Sequence, residues 1–347
     1  MRSDTEKTDQ KDTGKMTESR TVAAAADEWL LFMSCRVKES SLMTYRNMIR
    51  CWISPSLGND EISGIDQKRI DDFIGHLATS AKKDGTGLSP KTVSDVVSVL
   101  KSILLYSQKT KNIPFCAEFR LPRCPRSEIH VFSPTEQEKL LVFITREDKT
   151  KNNKTENKRR IIGDCRNLGI LLSLYTGLRI GEVCALQWKD ISFDEKTIIV
   201  RKTLQRISDP SEKDQKTKLV MTDPKSDCSK RIIPLPDFLT AFLADFQRDG
   251  DDFILSGNKK PIEPRNLQNH FRKILQECGI RQTNYHTLRH TFATRCVEIG
   301  FDIKCLSEIL GHSNISMTLN RYVHPSMSVK RKNMNLLGKF AEIRPKS

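Results

Sequence analysis

The stretch Tyr285-His286-Thr287-Leu288-Arg289-His290-Thr291-Phe292-Ala293-Thr294 sets two imidazoles and a guanidinium at helical spacing. His286, Arg289 and His290 stand three and four residues apart, so on an α-helix they share one face. Two neutral histidines at that spacing could ligate zinc, but no carboxylate or cysteine in the helix completes a ligand set. For His290 the plainer reading is a satisfied core histidine.

Downstream, Leu310-Gly311-His312-Ser313 is followed by Tyr322, ten residues after His312. Gly311 ends one helix, and Thr318, Asn320, Arg321 and Tyr322 lie on the next. A lone tyrosine is ordinarily a packed amphipathic residue. Upstream, Thr176-Gly177-Leu178-Arg179-Ile180-Gly181-Glu182 reads as a glycine turn that launches a helix. Arg179 in its first turn could grip a phosphate bidentately beside backbone N–H groups, with Glu182 placed to hold it. Taken alone, such a pair is commonly a surface ion pair. Breaking a phosphodiester without a metal needs a nucleophile, cations for the added charge and an acid for the leaving oxygen. The region supplies candidates for each.

Around these motifs the predicted elements form a second domain from Phe132, spanning residues 132–325. Ser133-Pro134-Thr135-Glu136 is a helix start, Lys149 to Arg160 a charged loop, and Asn167 to Tyr175 an apolar helix. Another helix follows Gly177 to about Gln187. Thr197 to Thr203 and Arg231-Ile232-Ile233 are strand-like, the latter closed by Pro234 and Pro236. The polar stretch from Ser208 to Ser229 suggests an extended hairpin with a basic tip. After Pro236 the pattern is helical again, apart from Phe253 to Gly257. The expected fold is mainly α with a small antiparallel β-sheet.

Residues 21–108 predict four short helices and no strand. These are Ala23 to Met33, Ser41 to Trp52, a third capped by Asp66 and a fourth opened by Ser89-Pro90. Val93, Val96, Val97, Leu100, Leu104 and Leu105 give the fourth one apolar face. Residues 109–131 read as a basic linker interrupted by Pro114, Pro122 and Pro125, whose charge could follow a phosphate backbone. Met1 to Arg20, polar and charged, reads as a disordered tail.

Composition agrees with a polyanionic partner: 58 basic against 43 acidic side chains leave a formal charge of +15. No run of about 18 apolar residues exists and no signal-peptide core opens the chain, so a cytoplasmic protein is expected. The ten cysteines form no C-x-x-C pair, which argues against a zinc site or a disulfide framework. Most are expected to be small buried apolar residues.

Taken together, Arg179, His286-x-x-Arg289, His312 and Tyr322 resemble the signature of the tyrosine recombinase (phage integrase) family. The surrounding words Thr-Gly-x-Arg-x-x-Glu, His-x-Leu-Arg-His-Thr-Phe-Ala-Thr and Leu-Gly-His match as well. The resemblance implies an N-terminal helical core-binding (SAM-like) domain and an α+β catalytic domain. It implies that Arg179, Arg289 and His312 hold the scissile phosphate, that His286 assists proton transfer, and that Tyr322 attacks to leave a 3′-phosphotyrosyl link. A hairpin lysine protonates the departing 5′-oxygen; Lys225 fits that place, with Lys216, Lys218 and Lys230 as rivals. Tyr285, the rival nucleophile, is expected to pack or to contact DNA. No metal or nucleotide cofactor is implied. The implied partners are double-stranded DNA and three further copies of the chain, as a homo-tetramer on paired DNA sites. Residues 326–347, with Val329, Met334, Leu336, Leu337 and Phe340, resemble the family's C-terminal element that docks on a neighbouring protomer.

The long hairpin is most similar to those of integrases of conjugative transposons and of phages of Gram-positive bacteria. Many such integrases carry a further arm-binding N-terminal domain, and only about twenty residues precede the helical one here, which leaves an accessory directionality factor open. A type IB topoisomerase or a chromosome-dimer-resolving recombinase are the alternative readings.

Overall fold

The computed structural model describes residues 20–82, 84–113, 118–123, 130–146, 164–208, 217–222, 230–322, 330–331 and 334–335. The charged loop at 149–160, the hairpin tip, Lys216, Lys225 and most of the two terminal segments lie outside the described residues. The chain divides into two compact units, Met1–Ser127 and Glu128–Ser347.

In the first unit, α1 (Val22–Ser34) is capped by the Thr21 side chain. The second helical run differs from expectation. It begins as α2 (Glu39–Met48), widens into a π-type turn at Ile49–Ile53 and continues as α3 (Ser54–Leu57). Pro55 has no N–H to return to the preceding turn, and the wide turn accommodates it without ending the helix. The apolar face gains buried Ile53 and Leu57 as a result. Asp66 caps α4 (Gln67–Thr79) and Ser89 caps α5 (Pro90–Lys111). The fourth helix is therefore not short. Its 22 residues enter the stretch expected as linker, and it stops at Asn112 in the left-handed region. Ile113 and Phe119 still belong to this core, and the Gln67 amide is hydrogen-bonded to the backbone of Glu118 at 2.9 and 2.7 Å. Ile113, Glu118 and Phe119 of the expected linker thus pack with the helical unit.

The second unit opens at Phe132, fully buried, whose N–H donates to Thr291 Oγ1 at 3.0 Å. Ser133 and Glu136 form a reciprocal cap on α6 (Pro134–Thr145). Next come α7 (Arg166–Thr176) and α8 (Ile180–Ala185), which ends earlier than expected in extended Leu186 and a single 3-10 turn, Trp188–Asp190. Leu168, Ile170, Leu172 and Leu174 are buried around the whole circumference of α7, which makes it the central helix of the unit.

The sheet is also divided differently. A single strand was expected from Thr197 to Thr203; the structure breaks it at Arg201-Lys202. Strands β1 (Ile191–Ser192), β2 (Thr197–Val200) and β5 (Arg231–Pro234) form one antiparallel sheet in the order β1-β2-β5, with Val200 opposite Arg231. Strands β3 (Thr203–Ser208) and β4 (Thr217–Thr222) pair separately as a hairpin. The break lets β3 lie against α8. A Cβ on Gly181 would fall 2.5 Å from Thr203 Oγ1 and 2.7 Å from the Leu204 carbonyl oxygen, so only glycine permits this approach.

The remaining helices are α9 (Asp237–Ala244), α10 (Pro264–Glu277), α11 (His286–Glu298), α12 (Ile303–Leu310) and α13 (Ile315–Tyr322). Among the described residues, no helix is long and apolar enough to cross a membrane. The cysteines depart from expectation. Of those described, only Cys184 and Cys296 are buried, whereas Cys35, Cys51 and Cys305 are exposed. The exposed three stand on outer faces of helical turns, where a small side chain need not pack.

Candidate active site

Two chain breaks in the second unit are held together by two arginines. Gly177, in the left-handed region at φ 66°, ends α7 and turns the chain into Arg179. Gly311, also left-handed, ends α12. Arg289, on the first turns of α11, is 1 % exposed and donates from Nη1 to the Gly177 carbonyl at 2.7 Å and from Nη2 to the Leu310 carbonyl at 2.6 Å. Its Nε–H is buried with no partner. Arg179 donates from Nη2 to the Gly311 carbonyl at 3.3 Å and from Nη1 to Glu182 at 2.8 Å. Arg179 and Arg289 therefore grip consecutive carbonyls immediately before His312, so three of the expected phosphate-holding groups meet in one corner.

Glu182 is the buried counter-ion. Its carboxylate takes Arg179 on one side and, on the other, Arg231 of β5, which donates from Nη1 at 3.1 Å and from Nη2 at 2.9 Å. Arg231 Nε also donates to the Ile309 carbonyl at 2.6 Å. Burial alone would raise the Glu182 carboxyl, but the hydrogen bonds and charge of Arg231, with the charge of Arg179, outweigh it and hold the group at about 2. One carboxylate thus faces three guanidinium groups in this corner. Burial, with the charge of Arg179 beside it, drives Arg289 down to about 9. A cation under that pressure is relieved by an arriving anion.

Burial holds the imidazoles of this corner in the neutral form. Burial first, then the charges of Arg289 and its neighbours, hold His286 at about 4 and His312 at about 4. His312 Nδ1 is paired with Thr318 Oγ1 at 2.8 Å, one turn before Tyr322. Tyr322 is 7 % exposed; burial raises its phenol, against a lowering pull from Arg289, Arg321 and Arg179. Its hydroxyl lies 2.7 Å from His290 Nδ1. His286 stands edge-on to the His290 ring, with centroids 4.5 Å apart.

Residues 132–328 match the family model described as "Phage integrase family", and residues 21–78 match "Phage integrase, N-terminal SAM-like domain". The chain belongs to the phage integrase family. It is 28 % identical to a "Tyrosine recombinase XerC-like" of Caldanaerobacter subterraneus over 81 % of this chain and 72 % of the relative. It is 29 % identical to a "Tyrosine recombinase XerA" of Thermococcus onnurineus over 69 % and 72 %. The fold is similar to that of the Tn1549 transposon integrase, solved in complex with a circular intermediate DNA (TM-score 0.70, 23 % identity, 92 % of this chain and all of that one). It is also similar to a lambda integrase tetramer bound to a Holliday junction (TM-score 0.59, 16 % identity, 92 % and 84 %). An integrase is a tyrosine recombinase, a DNA strand transferase, and this chain carries both of the domains expected for one.

Within this integrase the expected residues fall as follows. Arg179, Arg289 and His312 gather at the ends of α7 and α12, and Tyr322 closes α13. His286 lies on the same face of α11 as Arg289 and beside His290. Lys225 lies outside the described residues, and of its rivals Lys218 is on β4 and Lys230 directly precedes β5. Tyr285 is a packing residue: its buried hydroxyl donates to the Gly169 carbonyl at 2.7 Å and pairs with Ser173 Oγ at 3.0 Å, and burial raises its phenol. Among the described residues no group of three or more His, Cys, Asp or Glu is placed to hold a metal. Sequence reasoning missed Arg231 and His290. Arg231 was visible only as the first residue of a strand, and His290 as a core histidine.

Proposed function

We propose that the chain is a site-specific recombinase of double-stranded DNA that works through a 3′-phosphotyrosyl intermediate on Tyr322. The observation that carries this reading is the corner in which Arg179, Arg289 and His312 meet, with two more guanidinium donors than carboxylates and a buried, unpartnered Arg289 Nε–H. A scissile phosphate there would be held by Arg179 and Arg289, which also offset the charge of the pentacoordinate transition state. Tyr322 Oη would bond to phosphorus as the 5′-oxygen leaves. Lys225 would protonate that oxygen, and His286 would help orient the phosphate. In the reverse step a 5′-hydroxyl of a partner strand attacks the phosphotyrosine, so strands are exchanged and not hydrolysed.

Assembly as a homo-tetramer on two paired DNA sites, with residues 326–347 docking on a neighbour, belongs to the same proposal, as does work inside the cell on a mobile element. Names of the XerC and XerA relatives support resolution of chromosome dimers as the second reading. An accessory directionality factor would be required only if purified protein favours one direction of exchange.

The test is a suicide substrate cut from the ends of the element, incubated with the chain and run on a denaturing gel. The expected result is a covalent adduct with wild-type protein and none with Tyr322→Phe. Cutting at chromosomal sites instead would favour dimer resolution. Relaxation of supercoils without sequence dependence would favour a topoisomerase.

A further inference from the structure

The hydrogen bond between His290 Nδ1 and the Tyr322 hydroxyl is not explained by the roles assigned above. The resemblance gives His286 a part in proton transfer, but the imidazole within hydrogen-bond distance of the attacking phenol is that of His290. Tyr322 lies in a small satellite core of Ala293, Cys296, Leu306 and Leu310, largely closed to water. Bulk solvent is therefore poorly placed to take the phenolic proton at the moment of attack. His290 is the group in contact with it, at 2.7 Å, and the two rings stand 5.7 Å apart at 51°. The contact joins α11 to α13 across 32 residues of chain, so it is a tertiary placement and not a consequence of helical spacing.

We propose that His290 is the catalytic base for the nucleophile: its imidazole, protonated on Nε2, holds the Tyr322 hydroxyl through Nδ1 and takes its proton during attack. The inference rests on Tyr322 being the nucleophile. As the tyrosyl O–H bond breaks, the phenolic oxygen bonds to phosphorus, the bond from phosphorus to the 5′-oxygen breaks, and that oxygen receives its proton from the acid on the opposite side. The imidazolium formed sits beside the dianionic transition state, and in religation it returns the proton to the departing tyrosyl oxygen.

The surroundings keep His290 ready for this. Burial first, then the neighbouring His286 imidazole, the charges of Arg321 on α13 and Arg289 on α11, and the His312 imidazole in the turn between α12 and α13, hold it at about 3. The lone pair on Nδ1 is therefore free at neutral pH. A bound phosphate adds negative charge against those same cations and raises the basicity of the ring when it is needed.

The test is single-turnover cleavage of the suicide substrate by wild type, His290→Ala and His290→Asn, with binding and thermal melts measured alongside. Asparagine keeps an acceptor oxygen near the Nδ1 position but cannot take a proton, and it provides a folded variant should alanine destabilise the core. Both variants should bind DNA normally and cleave about 100-fold more slowly or worse. Their rates should climb as pH rises toward the phenol's own ionisation, where the wild type is flat. A substrate with sulfur in place of the bridging 5′-oxygen, which needs no acid to leave, should not rescue them. Wild-type rates in either variant, or rescue by the sulfur leaving group, would overturn the assignment. Covalent capture by Tyr322→Phe would instead remove the nucleophile reading on which the inference rests.

Discussion

The two units are built on opposite principles. In the first, the buried residues are apolar almost without exception, and Ser107 is the one buried polar residue described there. In the second, Glu182, Arg289, His290, Thr287, Thr291, Ser307 and Thr318 are buried around the ends of α7 and α12. Burying charge costs free energy that apolar packing does not, and it persists here because each charge is gripped by carbonyls or by an opposite charge. The contrast separates a unit held together by apolar packing from one that stores a preorganised anion site.

That contrast can be broken by substitution. The largest effect is expected at Tyr322→Phe, which should abolish covalent capture on a denaturing gel while leaving DNA binding intact. Arg289→Ala should lower the single-turnover cleavage rate by about 10²–10³-fold. Leu100→Ala in the first unit should do the reverse. It should cost about 2–5 kcal/mol in denaturant melts and leave the cleavage rate per folded molecule unchanged. If Leu100→Ala slowed the chemistry as much as Arg289→Ala, the two units would not be separable in this way.

Arg231 sharpens the comparison, because it reaches Arg179 through Glu182. Arg231→Ala should destabilise the second unit by about 3–5 kcal/mol, the cost of leaving a buried partner unpaired. It should also slow cleavage, because Glu182 then holds Arg179 from one side only. Arg231→Lys should not restore either property, since one ammonium cannot reproduce two Nη donors and an Nε donor at once.

Acid should unfold the second unit first. Glu182 is held at about 2 when folded, so its contribution is present above its ordinary value of 4.5 and is lost as pH falls toward 2. His286, His290 and His312 are held at about 4, 3 and 4, so below 6.5 the unfolded chain takes up protons before the folded one. Both effects have the same sign, and stability should drain from pH 6.5 downward. Melts followed separately for each unit should show the second losing midpoint steadily toward about pH 4 while the first holds. The smallest effect is expected at Ser133→Ala, about 1 kcal/mol from the lost cap on α6, with no change in cleavage.

Much of this is legible in the sequence alone. Caps at Ser133, Asp66 and Ser89 located helix starts because a cap is a local hydrogen bond to a backbone N–H two or three residues on. Helix ends were less legible. α5 overran Gln108 by an exposed turn, Lys109 to Lys111, that ends at left-handed Asn112, and the run through Trp52 continued because a π-type turn absorbed Pro55. The strand expected through Thr203 broke at Arg201-Lys202 because β3 turns away to lie on Gly181, a contact between segments more than twenty residues apart.

The sequence by itself determined the mainly helical fold with a small antiparallel sheet and the basic character of the chain, and it singled out Arg179, His286, Arg289, His312 and Tyr322 as candidates, because these depend on local periodicity, composition and words of a few residues. Only the tertiary structure decided which groups hold them in place. Arg231 on Glu182, Arg289 on the carbonyls of Gly177 and Leu310, and His290 on Tyr322 join segments from 21 to 112 residues apart. Periodicity extends a few turns along a chain, and partners at such distances are chosen by how buried charges and hydroxyls are satisfied once the core has closed.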